Sequence, residues 1–382
     1  MDDVPAGPAS PGPRRPALSV VVPVRNGGRD FERCLRRLRD SQVTDLELIV
    51  VDDGSTDNSA SLAKAAGATV VHHPFAQGPA AARNVGARVA KAPLIFFLDA
   101  DVAIHPHALE LALARLDADP GLSALFGSYD DAPTAPGIVS QYRNLLHHHV
   151  HQQGQFHQEV RPVHTFWTGC GIIRRDVFLA YGGFDPRLYP RPAIEDIELG
   201  YRLTRAGHRI VLARDVLATH LKRWTLAEMV RTDIFRRGVP WAILIKRTAT
   251  VETDLNVKSE QKACVVLTVL GLIATLACAA TPWAGLVALA AMSGIMLLNR
   301  SFFAFLVRRK GSAFACASFP LHLIYYCCCA LSVIIAEVHW YTKSHDKGVK
   351  GLTSSGRKDR AEAPIARPAA SRPASRRRAP SK

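Results

Sequence analysis

Residues 93–101 read Pro-Leu-Ile-Phe-Phe-Leu-Asp-Ala-Asp. An unbroken apolar run of this length suits a strand buried on both faces of a parallel sheet. It ends on two carboxylates one residue apart, Asp99 and Asp101. Two earlier stretches have the same form. Leu18–Val24 (LSVVVPV) is β-branched and breaks at Arg25-Asn26-Gly27-Gly28, and residues 46–51 (LELIVV) run into Asp52-Asp53-Gly54-Ser55. Between the strands lie segments of helical spacing: Phe31, Cys34, Leu35 and Leu38 behind Asp30, then 59–66, then 79–90. Thr69–His72 reads as a short further strand. Strands alternating with helices predict a doubly wound α/β sheet. Such sheets bind ligands beyond the carboxyl ends of their strands, which is where all three polar clusters fall.

Further along, residues 127–165 are less regular and hold His147, His148, His149, His151 and His157. They read as a solvated or headgroup-facing segment rather than a metal site. Residues 166–174 suit a strand, and 194–206 a helix that opens on acidic residues. After Thr253 the pattern changes. Residues 263–280 are apolar, Thr281-Pro282 interrupts them, 283–298 are apolar again, and 313–336 form a third apolar stretch. Crossing a bilayer takes about 20 such residues. The expected organisation is therefore a Pro/Ala/Gly-rich arm (1–16) without the apolar core of a signal peptide, a catalytic domain (17–245) and a membrane-proximal linker (246–262). A transmembrane hairpin (263–298) follows, then an interfacial basic segment (299–312), a transmembrane helix (313–336) that tolerates Pro320, and a disordered basic tail (341–382).

The 382 residues carry a formal net charge of +15, much of it beyond Tyr341. No aromatic residue lies among those tail charges, so bases have nothing to stack on and no nucleic-acid partner is expected. An anionic lipid surface is the better match. The eight cysteines show neither a disulfide framework nor CxxC spacing, which favours a reduced, cytoplasmic catalytic domain. Lys258 and Lys262 before the first apolar stretch place that domain on the cytoplasmic side of a plasma or inner membrane, as a multi-pass protein. The same rule conflicts with a basic tail on the far side of the last span.

Two carboxylates delivered by a hydrophobic strand to the working edge of a sheet can share a divalent ion and hold a ribose hydroxyl. Hard oxygen ligands suit Mn²⁺ or Mg²⁺. An isolated Asp-Ala-Asp would be a solvated turn; here Asp52 and Asp53 end a second strand of the same sheet. Arg83 in Arg83-Asn84 can pair with phosphate or be an ordinary solvated charge. Glu195-Asp196 at a helix start complements the dipole, and the same pair can supply a general base.

The series VVPVRN, VDDGSTD, GPAAARNVG, FFLDADV and AIEDIELGYRLTRAGHRI resembles the family 2 glycosyltransferases, inverting enzymes of the GT-A fold, over about 200 residues in the right order. The resemblance implies a nucleotide-sugar donor, a divalent metal, and a GT-A catalytic domain followed here by C-terminal transmembrane helices. By motif, Pro23, Asp52 and Asp53 would line the nucleobase pocket, Asp99 would contact ribose, and Asp101 would bind the metal. Arg83 would join them on the diphosphate. Glu195-Asp196 matches the acidic pair in which the aspartate is the catalytic base. His220-Leu221-Lys222-Arg223-Trp224 is similar to the QxxRW motif of processive members, with His for Gln. By that likeness Arg223 and Trp224 would serve the diphosphate and acceptor, with Gly169 in the acceptor wall. His220 is either a late metal ligand or part of an interfacial belt. These assignments imply transfer of one sugar to a lipid-linked or glycan acceptor in cell-envelope synthesis. The alternatives are a processive polysaccharide synthase, disfavoured by few spans and His220, and a catalytically inactive membrane scaffold, disfavoured because every expected acid is present.

Overall fold

In chain order, β1 (Leu18–Val24), α1 (Gly28–Arg39), β2 (Leu46–Asp52), α2 (Ser59–Ala65), β3 (Thr69–His72), α3 (Pro79–Val89) and β4 (Leu94–Leu98) follow the expected alternation. These strands are mutually parallel, in the order β3-β2-β1-β4. Alternation along β1 decides the layering. Val20, Val22 and Val24 pack with Phe31, Cys34 and Leu35 of α1 on one face. Val21 meets α3 on the other, so closely that a Cβ on Gly86 would lie 2.4 Å from its methyl. Glycine at 86 is what lets α3 seat on the sheet.

The computed structural model describes residues 15–248 and 258–353, with side chains as far as 342. The expected arm, the middle of the linker and most of the basic tail lie outside the described residues. The second half of the sheet is mixed. It comprises β5 (Val102–Ile104), β6 (Leu122–Tyr129), β7 (Val160–Val163), β8 (Cys170–Arg174) and β9 (Arg209–His220). β8 runs antiparallel to both β4 and β6, β6 is parallel to β9, and β5 and β7 each pair antiparallel with β9. The nine strands form one sheet, ordered β3-β2-β1-β4-β8-β6-β9-β5 with β7 also on β9.

Helices α4 (Ala108–Ala118), α5 (Ile138–His151), α6 (Arg175–Ala180) and α7 (Glu195–Arg205) complete this domain. The expectation of an irregular 127–165 segment is corrected. β6, α5 and β7 occupy much of it, and His147, His148, His149 and His151, though not His157, sit on α5. The strand expected at 166–174 is shorter: Thr168 bonds to Asp196 at the acidic end of α7, and Trp167 packs against Tyr129 and against His147 and His151 of α5. Beyond β9 come α8 (Leu226–Arg231), capped by a Thr225–Glu228 box, a π-helical turn (Thr232–Gly238) and α9 (Val239–Thr248).

The C-terminal part holds α10 (Ser259–Ala277), α11 (Ala284–Leu298), α12 (Arg300–Lys310) and α13 (Ser312–Thr353). α10 and the stretch of α13 up to residue 342 are each long and apolar enough to cross a membrane. A third crossing exists only if α11 and α12, bent by 70°, form one broken span. Exposed Leu270, Ile273 and Leu276 on α10, with Leu286 and Leu289 on α11, fit lipid contact. Two expectations are adjusted. α13 continues to Thr353, into the segment expected to be disordered. The aromatic side of α12 is not given to headgroups, since Phe302, Phe303 and Leu306 are buried against Tyr142 and Leu145 of α5 and Leu321 of α13.

Candidate active site

The loops after β1 and β2 are stitched together before they meet any ligand. Asn26, at φ +53, accepts from the Thr56 amide at 2.7 Å, and the Asn26 and Gly27 amides donate to Ser55 and Ser59. Asp53 accepts from the Gln77 and Gly78 amides, each at 2.8 Å, and lies 2.8 Å from His73 Nδ1. Asp52 accepts from the Ser55 amide and approaches His72. Asp53 and Pro23 line the cleft and Asp52 does not. The expected placement of Asp52 in the nucleobase pocket is thus corrected. Its carboxylate faces the β3 side and holds the turn that Asp53 then shapes.

Asp99 and Glu195, from motifs 96 residues apart in sequence, are joined by one buried guanidinium. Arg83 donates to Asp99 at 2.6 Å and to Glu195 at 2.9 Å. Arg83 thereby positions the two acidic motifs, while its Nε has no hydrogen-bond partner among the described residues. Glu195 also accepts from the Ala193 amide, which holds it beside Arg83.

Asp196 differs. It accepts from the Thr168 amide and hydroxyl at 3.1 and 3.2 Å and from the Ile197 amide at 2.9 Å, yet stays half-buried in the cleft wall. Burial and the Glu195 charge push its pKa up to about 6, against the hydrogen bonds and Arg83, which lower it. A carboxylate in that range can take a proton near neutral pH.

The end of β9 brings His220 to Asp101, with Nε2 3.6 Å from the carboxylate. His220 Nδ1 lies 2.7 Å from the Asn144 side-chain oxygen, a contact that fixes the ring with Nε2 toward Asp101. The ring stacks on Tyr129 at 4.5 Å and 7°. Among the described residues no group of three or more His, Cys, Asp or Glu converges. Asp101 and His220 are donors of a type that would suit a divalent ion. His220 is buried, unlike a side chain of an interfacial belt.

Trp224 also reaches the cleft. Its amide donates to Ser140 at 2.8 Å, and Lys222 Nζ stands 4.2 Å from its ring. Two expectations from the same region are corrected. Arg223 is exposed and outside the cleft. β9 ends at His220, and the extended chain beyond it turns Lys222 inward and Arg223 outward. Gly169 does not line the cleft either. A Cβ there would lie 2.3 Å from the Trp167 indole, so the glycine makes room for that ring, which does line it.

Sequence reasoning missed one face of α5. Arg143, His147 and His151, four residues apart in turn, all point into the cleft. That spacing was the available signal. Burial drives His147 well below the ordinary imidazole range and takes His151 to about 3, so both are neutral and present their rings among Tyr129 and Trp167. Arg236, Arg237 and Trp241, from the π-turn and α9, also line the cleft and carried no recognisable motif.

Comparison with known proteins adds the following. The family model described as Glycosyl transferase family 2 matches residues 19–182. A pre-mycofactocin glycosyltransferase of Mycobacterium tuberculosis is 30% identical over 62% of this chain and 50% of its own length. The chain thus spans about half of that relative. An uncharacterized protein of the same organism is 32% identical over 55% of this chain and 71% of its own length. Among solved structures, a mannosyltransferase of Pyrobaculum calidifontis, in complex with GDP-Man and Mn2+, superposes with a TM-score of 0.50. It is 19% identical, with 84% of this chain and 88% of that chain covered. At that identity the likeness is one of fold, and it agrees with the GT-A architecture.

Proposed function

Because this chain belongs to glycosyl transferase family 2, we propose that it transfers a sugar, with inversion, from a nucleotide-sugar donor to a lipid-linked or membrane-proximal acceptor. The observation that carries this reading is one cavity of about 850 Å³ lined by Pro23 and Asp53, by Asp99 and Asp101, by His220 and by Asp196. Binding groups and a base of suitable pKa share that space.

In this reading the donor base lies against Pro23 and Asp53, and its ribose hydroxyls against Asp99. The acceptor hydroxyl oxygen bonds to the anomeric carbon from the face opposite the leaving group. The carbon–oxygen bond to the diphosphate breaks, and its electron pair leaves with the diphosphate. The hydroxyl proton passes to Asp196. A Mn²⁺ or Mg²⁺ ion held by Asp101 and His220 would supply positive charge to the leaving diphosphate. Trp224 and Trp167 offer flat apolar faces to an acceptor sugar. Helices α10 and α13 favour a multi-pass membrane protein, and Lys258 and Lys262 favour a cytoplasmic catalytic domain.

The test is donor binding by detergent-purified full chain, with UDP-, GDP- and dTDP-sugars, with and without Mn²⁺. One donor should bind in a metal-dependent way. Asp101→Asn should abolish the metal dependence, while Asp196→Asn should bind donor normally and lose transfer by about 10²–10⁴-fold. Folded protein that binds no donor with metal present, or an Asp196→Asn enzyme with undiminished transfer, would overturn the assignment.

A further inference from the structure

The cleft does not end at the acceptor side of Asp196. It continues to Tyr325 and Cys329 on α13, the helix that is apolar enough to cross a membrane. Three guanidiniums stand along this extension: Arg143, Arg236 and Arg237. Among the described residues only Asp233 forms an ion pair with any of them. Arg143 forms a two-pronged pair with Asp233, with one arm at 3.1 Å, and its guanidinium lies 5.7 Å from the Trp224 ring. Among the described residues neither Arg236 nor Arg237 has an ion-pair or hydrogen-bond partner.

That imbalance needs an explanation, because a guanidinium withdrawn from water is unfavourable unless an anion answers it. Burial and then the neighbouring Arg143 lower the Arg237 pKa, and Asp233, Tyr129 and Asp196 oppose them only in part. The arginines come from the π-helical turn, whose wider winding is common at functional sites. The turn is pressed against α13, since a Cβ on Gly238 would lie 2.1 Å from the Ser332 hydroxyl. The two arginines are therefore fixed against a membrane-type helix, in the same cleft as Pro23 and Asp53.

Taking the transferase reading as its basis, we infer that Arg236 and Arg237 bind the phosphate or diphosphate of a lipid acceptor whose hydrocarbon chain runs beside Tyr325 and Cys329. Guanidinium forks match phosphate oxygens in geometry and charge. An anion there neutralises the unpaired cations and directs the acceptor's head toward Asp196. A soluble glycan or a peptide would use neither the charge nor the apolar wall.

The experiment measures binding to detergent-solubilised full chain of three probes: a long-chain isoprenyl monophosphate, the matching alcohol, and inorganic phosphate. Nucleoside diphosphate binding is measured in parallel. The lipid phosphate should bind more tightly than either the alcohol or inorganic phosphate, by about tenfold or more (~1.4 kcal/mol per tenfold). An R236Q/R237Q double variant should lose that advantage while nucleoside diphosphate affinity stays unchanged, and R236K/R237K should recover part of it. Equal affinity for lipid phosphate and alcohol overturns the inference, as does competition by inorganic phosphate at equal concentration. A double variant that weakens nucleotide and lipid together also overturns it, by assigning the arginines to the donor. Failure of donor binding in wild type with lipid phosphate binding intact would sink the transferase reading and leave the lipid site standing.

Discussion

Thr168→Val tests the assignment of Asp196 without removing the carboxylate. The substitution keeps the side-chain shape and deletes one donor, the hydroxyl 3.2 Å from Asp196 Oδ2, while the amide at 3.1 Å remains. Hydrogen bonds to a charged group are worth about 1.5–3 kcal/mol. The Asp196 carboxylate is half-buried and the bond is long, so the low end applies, and at about 1.4 kcal/mol per unit the pKa rises by about one. The starting value is about 6, set first by burial and then by Glu195. A base acts only when ionised, so the acid limb of kcat/KM should move from about pH 6 to about pH 7. Near pH 6 the variant should retain roughly a fifth of wild-type activity, and above pH 8.5 it should be nearly normal. The stability sign is the opposite of a salt-bridged acid. With the folded pKa above the unfolded value, native protein holds more protons between about pH 4 and 6, so this group's contribution falls as pH rises through that window and is level above it. The assay is initial-rate nucleotide release across pH 5–9 with donor affinity measured at each end. An acid limb that stays in place or moves to lower pH, in a folded variant with normal donor affinity, would refute Asp196 as the base.

Two further substitutions probe the positioning groups. Arg83→Met leaves Asp99 and Glu195 facing each other without their shared cation; breaking a buried pair costs about 3–5 kcal/mol, reduced toward the lower figure because Asp99 is a third exposed. A lowered thermal midpoint together with weakened donor binding is expected, and an unchanged midpoint would contradict the bridge. Asn144→Leu removes the acceptor that orients His220. Loss of such an outer partner costs about 10–100-fold in metal affinity, so the Mn²⁺ concentration for half-maximal donor binding should rise by that factor, and an unshifted Mn²⁺ titration would remove His220 from the metal site.

The strands, the four parallel neighbours and the acidic turns were legible because each is a local property. A buried parallel strand must be apolar throughout, and Asp, Gly and Ser must follow where the chain reverses. Asp101 and Asp196 reach the cleft for the same reason, each lying at the end of an element readable on its own, whereas Trp224 was singled out by its motif alone. The second half of the sheet was not legible, because β6, β8 and β9 pair across large sequence separations and carry no connecting rhythm. Nor could sequence say which charges are free. Arg83 read as a phosphate partner or a solvated charge, and its two carboxylate contacts were not legible. Arg223 stood in a family motif yet faces solvent, whereas Arg236 and Arg237 stood in none and face the cleft. The sequence by itself determined which residue types end each strand, since local sterics and burial set that pattern. Which of those residues meet was decided only by the tertiary structure, because a carboxylate's partner and its distance from a membrane helix are long-range facts that no neighbouring residue encodes.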